Sequence, residues 1–142
     1  MITGIPAVFD IKMLDAVSVL MPKSKVHFLL ERPDEIGDLG KGLNVEIYKV
    51  SKVYSMVGTG YIYDDDQYLK RQAFIFKGSI SEQTAEEIIE CGFIFVEKRG
   101  NYFLLEGKDD DTGQPIMVTV TEDGGMTTVI TFEKEFYDKR LK

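Results

Sequence analysis

The sequence is poor in the residues that carry most enzyme chemistry. It has one cysteine, Cys91, so no internal disulfide can form. It has one histidine, His27, so a general base of the commonest kind has a single candidate. No G-x-S-x-G nucleophile elbow occurs, and no cysteine–histidine pairing is legible around Cys91. Long apolar runs are missing too: stretches such as Phe93–Val96 and Phe28–Leu30 are far too short to span a bilayer. Met1–Asp10 lacks the basic start and long apolar stretch of a secretory signal. A cytoplasmic protein with no membrane association is the expectation. Positive charge is also scarce, 17 basic residues against 24 acidic ones for a net charge of −7. That opposes direct nucleic-acid binding, which draws its affinity from Lys and Arg neutralising phosphates. Val57–Tyr61 holds a lone G-x-G followed by strand-like sequence, so no phosphate loop is read there.

What is present describes a globular chain. With 142 residues, 44% of them apolar and 11% aromatic, residues 1–142 fit one domain. Phe9–Met21 carries an apolar stripe at three- and four-residue spacing and is predicted as a helix ending at Pro22. Lys23–Glu31 alternates at Val26, Phe28 and Leu30 and is predicted as a strand, with Arg32–Gly42 a turn-rich connection. Further strands are predicted at Leu43–Tyr48, Val53–Val57 with Gly60–Tyr63, and Gln72–Lys77. Ser79–Gly92 is predicted as a helix, with Ser81 or Thr84 as cap, Ala85, Ile88 and Ile89 as its apolar stripe and Gly92 as its stop. Four strands follow, Phe93–Lys98, Tyr102–Gly107, Ile116–Thr121 and Met126–Glu133, the last two joined by a hairpin turn at Glu122–Gly125. From Phe136 on, a short helix or frayed end is expected. Short gaps between strands favour antiparallel pairing, hence an α+β fold with two helices packed on mainly antiparallel sheet.

The tetrapeptide FLLE occurs at Phe28–Glu31 and Phe103–Glu106, each time before an acidic turn and a V-x-I or V-x-V strand. That raises a pseudo-repeat of two helix-plus-meander halves, 1–70 and 71–142. The run AEEIIECGFIFVEKRGNYFLLEGKDDDTGQPIMVTV, about residues 85–120, resembles the helix and three-strand core of the HicA-type ribonuclease toxins. The resemblance implies a helix leading into three strands. Gly100-Asn101-Tyr102 stands where that family has Gly-Ser-His, so the catalytic histidine is absent and ribonuclease activity is not implied.

Three clusters are candidates for a site. Asp109–Asp111 could hold a metal, but a calcium loop counted from Asp109 finds Gly113 fifth, Gln114 in the glycine position and Val120 in the closing position. A solvated turn is the better reading, so neither metal nor cofactor is expected. Glu82, Glu86 and Glu90 are spaced four apart and stack on one helix face, suited to a basic surface. Tyr61 and Tyr63 share a strand face beside Asp64, Asp65 and Asp66, a composition common at recognition surfaces. Cys91, among apolar neighbours, is expected to be a buried inert thiol, and His27 a partly exposed strand residue. The functional expectation is a non-enzymatic acidic protein-binding domain, of inhibitor or immunity type, for a protein partner with a basic surface. The alternatives are a carboxylate-based metal-dependent enzyme or small-ligand binder, and a structural subunit of a homo-oligomer, such as a homodimer joined by edge strands.

Overall fold

The computed structural model describes residues 17–49, 56–109 and 112–141. Helix α1 (Lys23–Leu30) leads into four strands, β1 (Glu35–Gly40), β2 (Leu43–Lys49), β3 (Met56–Tyr63) and β4 (Leu69–Lys77). Helix α2 (Ser81–Glu90) leads into four more, β5 (Ile94–Arg99), β6 (Tyr102–Lys108), β7 (Pro115–Asp123) and β8 (Met126–Glu133). A short helix α3 (Lys134–Phe136) runs on into a wider helical turn, Tyr137–Leu141. All eight strands form one antiparallel sheet in the order β1-β2-β3-β4-β8-β7-β6-β5. The α+β expectation holds, with three helical segments rather than two among the described residues.

The strands follow from period-two patterning. In β4, Gln72, Phe74 and Phe76 turn inward, and their cross-strand partners on β8, Thr131, Val129 and Thr127, are buried with them. The row continues through Val118 and Val120 of β7 to Leu105 and Phe103 of β6. Ala85 and Ile88 of α2 close over this apolar field. Fully burying a side chain such as Ile88 contributes about 2 kcal/mol. Under α1 the cluster is Val17, Val26, Tyr61, Tyr63 and Leu69. On the opposite face of the sheet, Leu43 and Ile62 are covered by Phe136 of α3.

Four sequence expectations need correction. Lys23–Leu30 is a helix, not a strand. The spacing of Val26 and Leu30 fits either state in so short a run. Helical geometry, however, lets Lys23 and His27, four residues apart, reach Glu46 together. Pro22 stands at the start of α1 with φ −61°, where a missing N–H costs nothing. Arg32–Gly42 contains strand β1, an edge that tolerates Gly37 because only one neighbour must pair with it. Cys91 is exposed, since the chain leaves α2 there through Gly92 at φ +105°. Val17–Met21 forms no helix; the rest of the predicted Phe9–Met21 helix and most of Val53–Val57 lie outside the described residues.

The hairpin turn is as read, with Asp123 pairing Met126 across Gly124 and Gly125. The predicted Ser81 or Thr84 cap of α2 is replaced by groups distant in sequence. Glu122 of β7 accepts from the Ser81 hydroxyl at 2.8 Å and from its amide at 3.3 Å, and Thr127 of β8 accepts from the Ile80 amide at 3.1 Å. The Ser81 hydroxyl, with a smaller contribution from the same residue's amide, holds the Glu122 carboxyl below the usual carboxylate range.

Candidate functional site

The residues singled out in the sequence fall into three environments. Tyr61 and Tyr63 are core residues, 2% and 8% exposed, because β3 turns that face toward α1. The Tyr61 ring stands edge-on to Tyr48, with centroids 5.5 Å apart. His27 is edge-on to Tyr63, and the Lys23 ammonium sits 5.2 Å from the Tyr63 ring centre. Burial raises the pKa of all three phenols, with the Glu46 charge adding to the effect at Tyr48 and Tyr63. Their rings stabilise the fold and present little surface.

Asp64, Asp65 and Asp66 form the β3–β4 turn, and their charges are met from within the chain. Asp64 and Asp66 side chains accept from the amides of Asp65 and Tyr68 at 2.8 and 3.0 Å. Arg140, beyond α3, pairs with Asp64, approaches Asp65 at 3.8 Å and donates to the Lys41 carbonyl at 2.9 Å. Lys70 bonds Asp66 at 3.0 Å and lies 3.4 Å from Glu133. Burial opposes the Lys70 charge, but the two carboxylates outweigh it and raise its pKa. The turn is therefore an internal clasp for the C-terminal segment.

Glu82, Glu86 and Glu90 stand on the outer face of α2, all exposed, and among the described residues none forms an ion pair. They are not brought to the aspartate turn. The nine residues of β4 separate the two clusters, about 30 Å at roughly 3.3 Å per residue. At the β6–β7 turn the Asp109 carboxylate accepts from the Thr112 amide and hydroxyl at 2.9 and 3.0 Å. Asp110 and Asp111 lie outside the described residues.

Two features escaped the sequence reading. The first is a polar cluster at the start of α1. Glu46 of β2, buried, lies 2.7 Å from His27 Nε2 and 3.7 Å from Lys23 Nζ. The carboxylate can only accept, so the imidazole donates. His27 and Lys23 border a shallow hollow completed by Pro22, Ser24, Asp66, Gln67 and Tyr68. Glu46 is 19 residues from His27, and no local pattern couples the two. The second is the outer edge of the sheet at β5. Ile94, Phe95 and Val96 are 70%, 47% and 46% exposed, with Ile89 of α2 also exposed nearby in the chain. They fall in the predicted strand Phe93–Lys98, and its edge position puts them on the surface.

Among the described residues no group of three or more His, Cys, Asp or Glu is arranged to hold a metal ion, and no helix is long and apolar enough to cross a membrane. Comparison with family models, with curated proteins and with solved structures gives no match to this chain.

Proposed function

We propose that the chain is a non-enzymatic binding protein whose acidic α2 face engages a basic surface on a protein partner, in the manner of an inhibitor or immunity-type antagonist. The observation that carries this reading is a contrast in charge pairing. Asp64, Asp65, Asp66, Glu133 and Glu135 each have a cation within 4 Å, whereas Glu82, Glu86 and Glu90 have none among the described residues. An unneutralised carboxylate row on a solvent-facing helix raises the local potential for a cationic partner and speeds encounter. Tyr61 and Tyr63 lie under α1 rather than under this surface and are given no part in it. Affinity capture from native lysate at low salt, comparing the natural chain with a Glu82→Lys/Glu86→Lys/Glu90→Lys variant, tests it. A basic protein retained by the first and lost from the second is expected. Identical captured sets would end the proposal.

We also propose that one domain carries two helix-plus-meander halves, divided between Lys77 and Ser81 rather than between Lys70 and Arg71, a boundary that falls inside β4. The supporting observation is order: each of α1 and α2 precedes four consecutive antiparallel strands, and β4 meets β8 at the middle of the sheet. The FLLE match plays no part in this, because Phe28–Leu30 lies in α1 while Phe103–Glu106 lies in β6.

A further inference from the structure

The two edges of the sheet offer a neighbour different things. β1 carries two glycines, a register shift between Asp38 and Gly40, and the acids Glu35 and Asp38, so a copy paired against it would set acid against acid. Among the described residues β5 pairs only with β6, leaving its outer N–H and C=O groups without a strand partner there, and it holds the exposed run Ile94–Val96. Its charges also have a direction. Glu106 sits opposite Ile94 at one end, and Lys98 and Arg99 occupy the other, where Glu97 pairs with Arg99 at 2.6 Å and two cations against one carboxylate leave that end with a single net positive charge.

We propose that β5 is a self-pairing edge, joining two copies of this chain antiparallel about a two-fold axis normal to the sheet. An isologous contact requires each end of the strand to complement the other, and here the acidic end of one copy meets the basic end of its mate. The faces agree as well. The shift in pairing between Phe95 and Glu97 makes Val96 the extra residue, which puts Ile94 and Arg99 on one face and Phe95 and Lys98 on the other. A mate aligned with Ile94 opposite Arg99 therefore also sets Phe95 opposite Lys98, each pair on a single face. Glu106 then lies two strands, about 10 Å of backbone, from the mate's Arg99, within the joint reach of the two side chains. The methylene stems of the mate's Arg99 and Lys98 lie over Ile94 and Phe95, and the open backbone groups pair.

This interface is independent of the acidic face of α2. Sedimentation and light scattering over a range of concentrations test it. The natural chain is expected to dimerise. Phe95→Asp should weaken the dimer at least tenfold, while Ile36→Lys on β1 should leave it intact. Arg99→Glu and Glu106→Lys should each be monomeric alone, because like charges then face each other at both ends. Their equimolar mixture should recover a heterodimer, because both ends are again complementary. A strictly monomeric natural chain, a dimer lost in Ile36→Lys but kept in Phe95→Asp, or a mixture that stays monomeric would each overturn the proposal. Restoration on mixing cannot come from a misfolded variant. A monomeric Phe95→Asp that still captures the basic partner would leave the α2 reading standing.

Discussion

The halves of the sheet under α1 and α2 are built with different materials. Beneath α2 the interior is hydrocarbon: Phe74, Phe76, Ile80, Ala85, Ile88, Phe103, Leu105, Val118, Val120 and Val129. Beneath α1 the apolar contribution is small, with Val26 the only fully buried helix residue, and the rest of the contact is polar. Glu46 holds His27 and Lys23, three tyrosines supply the aromatic area, and the Tyr48 hydroxyl donates to the Glu31 carbonyl at the end of the helix at 3.0 Å. The seam between the halves is polar too, with Gln72 opposite Thr131 and Lys70 near Glu133. Apolar burial gains in proportion to area and tolerates small shifts, whereas a buried carboxylate is favourable only while its partners stay in place. The α2 half should thus be the stable body of the protein, and α1 a helix docked on it by a few specific bonds.

Four measurements can break or sharpen that contrast. The largest effect belongs to Ile88→Ala, which empties a site with no exposure in the hydrocarbon half; denaturant unfolding should show a loss of about 2–5 kcal/mol. Glu46→Gln should cost less, about 1–2 kcal/mol, because His27 and Lys23 are exposed enough to be rehydrated when their acceptor is lost. Hydrogen exchange should then quicken in α1 and leave α2 unchanged. Equal loosening of both helices would mean that the halves are one cooperative unit.

Alkaline titration comes third. Burial first, and then the Glu46 charge, push the Tyr48 phenol up from 10.0 to about 12. The folded state therefore keeps a proton that the unfolded chain releases. Stability from this group is complete below pH 10 and is lost as pH rises from 10 toward 12. Tyr61 and Tyr63 shift in the same direction and add to the loss in the α1 half, against Tyr102 in the other. Tyrosinate absorbance followed with α1 exchange should show that half opening first, and Tyr48→Phe should reduce the loss. Unchanged stability across that range would contradict the polar account of α1. The smallest effect is expected from Glu82→Lys with Glu86→Lys, within about 0.5 kcal/mol by thermal unfolding. A larger drop would mean that the acidic face serves the fold rather than a partner.

The contrast also sets what could be read in advance. The strands of the hydrocarbon half, β6, β7 and β8, match their sequence ranges closely because buried and less buried residues alternate along much of their length. Ser81–Glu90 was legible from the stripe of Ala85 and Ile88, and the β7–β8 hairpin from its Asp-Gly-Gly. The α1 half was read less well. Its helix has eight residues and an apolar pattern that suits a strand equally, and what decides the matter is Glu46 on another strand. The sequence shows the tyrosines as a cluster and not their burial, because alternation tells which residues share a face without telling which face is covered.

The sequence by itself determined an α+β chain of short antiparallel strands, a helix at Ser81–Glu90, the hairpin at Gly124-Gly125 and an acidic row at Glu82, Glu86 and Glu90. These depend on period, spacing and turn chemistry, all local in the chain. Tertiary structure alone decided that Lys23–Leu30 is helical, that Glu122 and Thr127 cap α2, that Tyr61 and Tyr63 are buried and that Arg140 closes on Asp64. It also decided that Ile94–Val96 lies at an open edge. Each depends on a partner from elsewhere in the fold or, for the edge, on there being no further strand beside β5 among the described residues. That order of strands is settled by packing across the whole sheet, and no local stretch of the chain records it.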